Sequence, residues 1–210
     1  MLLNLFTVTL SFNAIIMELN LDIKKRYTFA DYLTWIDDKR RELIDGFVKL
    51  MSPSPTSYHQ SIAINLATEI KNYLKKKKYK IFTAPFDVRF PEILNDKQND
   101  KIITVVQPDI SVICDLSKID AKGCIGAPDM IVEIVSPSSA RHDVEDKFKL
   151  YQRHGVREYW IVFPEDRSLN VFVLDENHKY QLVGMYANDS KVKVYIFEDL
   201  VIDLAEIFED

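Results

Sequence analysis

The stretch Met130-Ile131-Val132-Glu133-Ile134-Val135-Ser136-Pro137-Ser138 carries the reading of the fold. Met130 to Val135 is apolar apart from Glu133 and rich in β-branched side chains, as in a strand covered on both faces at the centre of a sheet. An acid in the middle of such a strand is costly to bury alone, so a metal ion, a lysine or a strong hydrogen-bond donor is expected beside it. Ser138 or Ser139 can cap a helix running to about His154, with Gly155 as its C-terminal stop, and a further strand, Glu158–Phe163, follows directly.

Working outward, strand-like runs precede this core at Tyr79–Thr83, Val88–Phe90 and Ile110–Cys114. From Ser57 to Lys77 the positions His59, Ile62, Ala63, Leu66, Ile70, Tyr73 and Leu74 repeat at three and four, predicting a long amphipathic helix that packs on a sheet. Glu42–Ile44 and Phe47–Met51 read as strands joined by Asp45-Gly46, a dipeptide suited to a tight hairpin. Thr28 suits the N-cap of a helix that carries Phe29, Tyr32, Leu33 and Ile36 and ends near Lys39. Downstream, Leu169–Leu174, Tyr180–Met185 and Lys193–Phe197 alternate like an antiparallel extension. The sum is an α+β fold, a mixed sheet core flanked by helices.

With 210 residues, 47% apolar and 28% charged, the composition is that of one globular domain. We place it at residues 23–210, after an N-terminal extension over 1–22 in which Met17 is a candidate native start. The apolar run Leu2–Met17 lacks a basic lead and is too short to span a membrane. The net charge of −5 argues against bulk coating of nucleic acid but leaves room for a local basic cleft. Lysines and arginines cluster at Lys24–Arg26, Lys39–Arg41 and Lys75, Lys76, Lys77 and Lys78; the last tract is a weak candidate for nucleic-acid contact, and solvated helix ends are the bland alternative. Cys114 and Cys124 have no zinc-site spacing and fit structural thiols in a reducing, cytoplasmic setting.

Phosphate-cradling loops, dinucleotide-binding glycines, zinc-spaced Cys/His pairs and nucleophile elbows are missing, which leaves metal-assisted hydrolysis. Magnesium and manganese prefer oxygen ligands, so such chemistry needs carboxylates converging from separate elements. Asp109, after Pro108 at the start of an apolar strand, and Glu133 form such a pair. A second Pro-Asp pair, Pro128-Asp129, is read as a loop cap.

The Pro108-Asp109 pair and Glu133 within Val132 to Ser138 resemble the PD-(D/E)XK nuclease superfamily, and more narrowly its Uma2 family, also called DUF820. Supporting stretches are Glu42 to Gly46, His59-Gln60, Lys147 to Tyr151 and Gly155 to Trp160, so the likeness spans roughly residues 27–208. It implies a restriction-endonuclease-like fold and Mg2+- or Mn2+-dependent cleavage of nucleic acid, DNA before RNA, with a homodimer among the expected partners. The sequence departs from the superfamily pattern at Val135, where a lysine is expected. Lys147 is the substitute, on the following helix and on one face with Asp143 and Tyr151 at four-residue spacing; the bland reading is a surface Asp143–Lys147 ion pair. The resemblance implies Asp109, Glu133 and Glu42 as metal ligands, Lys147 as the catalytic cation, and His59, Asp143 and Tyr151 as positioning groups. The rival expectation is a nuclease-fold binding or assembly module without catalysis, which the missing lysine feeds.

Overall fold

A computed structural model of the chain describes residues 21–37, 39–51, 55–93, 97–136 and 142–209, except for the side chains of residues 142 and 143. The expected extension over 1–22 therefore lies almost wholly outside the described residues, as do the caps expected at Ser138 and Ser139. The elements run α1 (Phe29–Tyr32), β1 (Arg41–Ile44), β2 (Phe47–Leu50), α2 (Ser57–Leu74), β3 (Lys80–Thr83), β4 (Val88–Phe90), β5 (Thr104–Val106), β6 (Ile110–Ile113), β7 (Ile119–Asp120), β8 (Gly123–Ile125) and β9 (Met130–Ile134). After them come α3 (His142–His154), β10 (Glu158–Phe163), β11 (Ser168–Leu174), β12 (Tyr180–Ala187), β13 (Lys191–Lys193), β14 (Val201–Asp203) and α4 (Leu204–Ile207).

The larger sheet has the order β12-β11-β10-β9-β6-β3 and the second β2-β1-β5-β4-β8-β7. Strand β9 is interior: it pairs parallel with β10 across the α3 crossover and antiparallel with β6. Alternation along β9 decides what each side chain meets. Met130, Val132 and Ile134 join Ile62, Leu66, Ile70 and Leu74 of α2 in one apolar cluster. Ile131 belongs to the cluster that holds Leu150 and Tyr151 of α3, which puts Glu133, two residues on, under the same helix. The mixed α+β architecture expected from the sequence is the one observed.

Three expectations change. The first helix is one turn long. Thr28 does cap it, in a reciprocal capping box with Asp31, but the Thr34 hydroxyl takes the Asp31 carbonyl at 2.6 Å and the chain leaves the helical path. Ile36, expected on the apolar stripe, is 93% exposed. In the second sheet, β5, β7 and β8 were not legible, because two or three residues carry no periodicity. The strand expected at Lys193–Phe197 is instead a turn after β13, closed by Val194 N–H on the Leu200 carbonyl. The buried Glu158 carboxylate accepts Ile196 N–H at 2.7 Å and draws that turn inward. The Asp45-Gly46 hairpin is present, with φ of 51° and 86°.

Candidate active site

Four elements converge beside Glu133. It projects from β9, Asp109 stands just before β6, Glu42 lies in β1 of the other sheet, and Lys147 descends from α3. Helix α3 is tied to the β1–β2 hairpin by a Lys49–Asp146 contact and by Arg153 on Asp45 at 2.6 Å, which fixes the height at which Lys147 enters. Its ammonium reaches Oε1 of Glu133 at 3.0 Å and Oε1 of Glu42 at 3.1 Å. Tyr151, one turn further along α3, donates its hydroxyl to the same Glu133 oxygen at 2.5 Å. Lys147 is thus largely buried rather than a surface residue; the side chain of Asp143 falls outside the described residues.

Asp109 is held differently. Its Oδ2 accepts Ile134 N–H at 2.7 Å and lies 3.4 Å from His59 Nε2, which itself donates to the Ile134 carbonyl at 3.0 Å. His59 comes from the first turn of α2, so that helix contributes its N-terminal end to the site. Glu42 is buried rather than exposed at a hairpin, and Gln107 donates its backbone N–H to Glu42 Oε1 at 3.0 Å. Each carboxylate therefore has one oxygen held by protein. No described residue donates to the other, Oδ1 of Asp109 and Oε2 of Glu133 and of Glu42.

Burial, aided by the negative charges of Asp109 and Glu42, pushes the Glu133 carboxyl up to about 7 against the opposing pull of Lys147 and Tyr151. Burial acts to lower the Lys147 ammonium, but Glu133 and Glu42 outweigh it and hold it above its ordinary value. Burial likewise pulls His59 down, and its contacts with Asp109 and the Ile134 carbonyl reverse the direction. The Tyr151 hydroxyl, buried beside acids, stays protonated as a donor.

Asp129 closes a loop as expected, accepting Cys114 N–H at 2.7 Å and pairing with Arg157 at 3.1 Å. Lys75, Lys76, Lys77 and Lys78 follow the far end of α2, about 24 Å from His59 at the helical rise per residue. Gln107 was missed, and its position two residues before Asp109 was the signal that could have found it. Its side chain accepts from Arg40 at 3.0 Å and donates to Asp87 at 2.8 Å and to Tyr32 at 3.2 Å.

The three acids supply hard oxygen donors, each with one oxygen that meets no donor among the described residues, a donor set that suits magnesium or manganese. Among the described residues, however, no group of three or more His, Cys, Asp or Glu side chains is arranged to hold an ion as it stands. The Lys147 ammonium occupies the space between Glu42 and Glu133. A cation there needs that lysine to shift. No described helix is long and apolar enough to cross a membrane.

The comparisons with known proteins fall on the same region. A crystal structure described as a putative nuclease belonging to DUF820, from Anabaena variabilis, superposes with a TM-score of 0.67 at 19% identity, covering 87% of this chain and 97% of that one. At that identity the likeness speaks for the fold, a restriction-endonuclease-like one. An uncharacterised protein of Synechocystis sp. is 24% identical over 162 residues, 76% of this chain and 80% of its own length. The model of the Uma2 family, described as "Putative restriction endonuclease", matches residues 29–205, and the chain belongs to that family.

Proposed function

We propose that this protein is a metal-dependent endonuclease that hydrolyses phosphodiester bonds in nucleic acid, with DNA as the favoured substrate. The observation that supports it most is the meeting of Glu133 from β9, Glu42 from β1 and Asp109 from the entry to β6, with Lys147 on the first two and one oxygen of each acid without a donor among the described residues. A module that only bound nucleic acid would have no use for clustered acids facing phosphate, since binding rests on cations.

In this reading Asp109, Glu133 and Glu42 hold Mg2+ or Mn2+, which when bound supplies charge neutralisation and a lowered pKa for attacking water. Lys147 stabilises the negative charge that develops on the phosphate and replaces the lysine missing at Val135. Tyr151 fixes the rotamer of Glu133, while His59 and the Ile134 backbone hold Asp109. Two copies about a twofold axis would present one such cluster to each strand of a duplex. The tract Lys75–Lys78 then meets only outlying backbone, roughly seven base pairs away at 3.4 Å per step.

The test is manganese binding by calorimetry followed by cleavage of mixed DNA and RNA substrates, for wild type, Asp109→Ala and Glu133→Ala. We expect binding and cutting by wild type and neither by the variants. Cutting that survives both substitutions refutes the assignment, and a folded wild type that binds no manganese refutes the enzyme in favour of a binding module.

A further inference from the structure

Beside the start of β1, where Arg40 and Arg41 lead into Glu42, the chain leaves a cleft of about 250 Å³. Its walls carry Tyr32, Trp35, Lys39, Arg40, Arg41 and Gln107, so three cations and two aromatic rings face one small volume. Asp37, also on the wall, is taken up by an ion pair with Arg41, which leaves the described lining residues net positive in a chain whose overall charge is −5. Arg41 is 3% exposed, lies over the Trp35 ring at 5.7 Å and is held by Asp37 and the Lys39 carbonyl, while its Nε meets no acceptor among the described residues.

This cleft is wired to the acids. Gln107 touches both, with its backbone N–H on Glu42 Oε1 and its side-chain oxygen on the Arg40 guanidinium at 3.2 and 3.0 Å. Arg40 and Arg41 directly precede Glu42 in the chain. Arg40 is exposed at the mouth, oriented by a neutral amide, so its charge is aimed without being cancelled by that partner.

We infer that the cleft is a nucleotide subsite: it takes a nucleotide next to the scissile phosphate, with a backbone phosphate on Arg40 and the base against Trp35. This rests on the endonuclease reading above and adds where the strand runs. Guanidinium groups recognise phosphate through paired N–H donors, and an aromatic face accepts any base, so the subsite reads the backbone and stacking rather than sequence.

Trp35 and Trp160 are the chain's two tryptophans, and Trp160 is fully buried with its indole N–H on Glu158. Tryptophan emission therefore reports on the cleft. Titration of the full chain, in chelator, with a ten-nucleotide single-stranded DNA should quench emission in wild type and not in Trp35→Phe. Arg40→Gln, a surface change with little effect on folding, should weaken binding about tenfold and lower the salt slope of log K by about one. Trp35→Phe keeps a ring and should hold affinity within a few fold, whereas Trp35→Ala should lose about tenfold. If wild type binds and cuts DNA while its emission stays constant and Arg40→Gln binds normally, the subsite is refuted and the nuclease reading stands. If wild type neither binds nor cuts any nucleic acid, both fall.

Discussion

Replacing Lys147 by methionine keeps the length of the side chain and removes its charge. In the native arrangement that charge lies 3.0 Å from Glu133 Oε1 and 3.1 Å from Glu42 Oε1, and all three side chains are largely shielded from water. Deleting one partner of a buried ionic cluster leaves uncompensated charge and costs about 3–5 kcal/mol. Tyr151 O–H and Gln107 N–H still solvate the two acids, which places the expected loss near the lower end. For a domain of this size about 3 kcal/mol lowers Tm by roughly 6–12 °C, read by calorimetry in excess chelator. Manganese should then behave unequally in the two proteins. In wild type the ion has to displace an ammonium from Glu42 and Glu133; in the variant, whose Glu133 carboxyl rises further without Lys147, the ion meets bare carboxylates at a pH alkaline enough to ionise Glu133, where it binds at least tenfold tighter and recovers about 2.7 kcal/mol at a hundred times its Kd. The variant stays inactive throughout, because the charge that stabilises the phosphate is gone. A Tm loss under about 2 °C in chelator, or equal manganese-induced rises in both proteins, would refute the view that Lys147 holds the place of a cation.

Further outcomes follow from single contacts. Tyr151→Phe removes the hydroxyl from Glu133 and should cost about 1–2 kcal/mol of stability in urea melts and lower kcat with little change in KM; an unchanged kcat removes Tyr151 from the site. His154, stacked on Phe90 at 4.6 Å, is depressed to about 4 by burial and by Arg153, against an ordinary 6.5. The unfolded chain therefore takes up a proton first as pH falls, so stability is full above about 6.5 and is lost down to about 4, by about 3 kcal/mol. His154→Phe should erase that part of the pH dependence, and parallel stability curves for the two proteins between pH 4 and 7 contradict it. Glu158→Ala leaves the Trp160 indole and Ile196 N–H without their acceptor and should destabilise by about 2–4 kcal/mol in urea melts; a loss under 1 kcal/mol means water replaces the carboxylate freely. Alanine at Lys75, Lys76, Lys77 and Lys78 should weaken binding of a twenty-base-pair duplex and spare a six-base-pair one, with equal losses for both placing the tract nearer the acids than the helix allows.

The elements legible in the sequence were those whose pattern is local. The β9 run, the four-residue spacing of α2, the Asp45-Gly46 turn and the Gly155 stop, with φ of 81°, declare themselves because periodicity and backbone freedom belong to a few neighbouring residues. Glu133 was legible for the same reason, as a charge set in an apolar run. The second sheet was not, since strands as short as Thr104–Val106 gain their hydrogen bonds only from partners far away in the chain. Nor was the one-turn length of α1, which side-chain bonds from Thr34 and the Asp37–Arg41 pair override.

By itself the sequence determined the fold class and the interior strand with its buried acid, and it singled out the residues now proposed to carry phosphodiester chemistry. Tertiary structure alone decided that Lys147 sits between Glu42 and Glu133, and that Gln107 links Glu42 to a basic cleft. Long-range Coulomb pairing and close packing bring those groups together, and neither leaves a mark on sequence spacing.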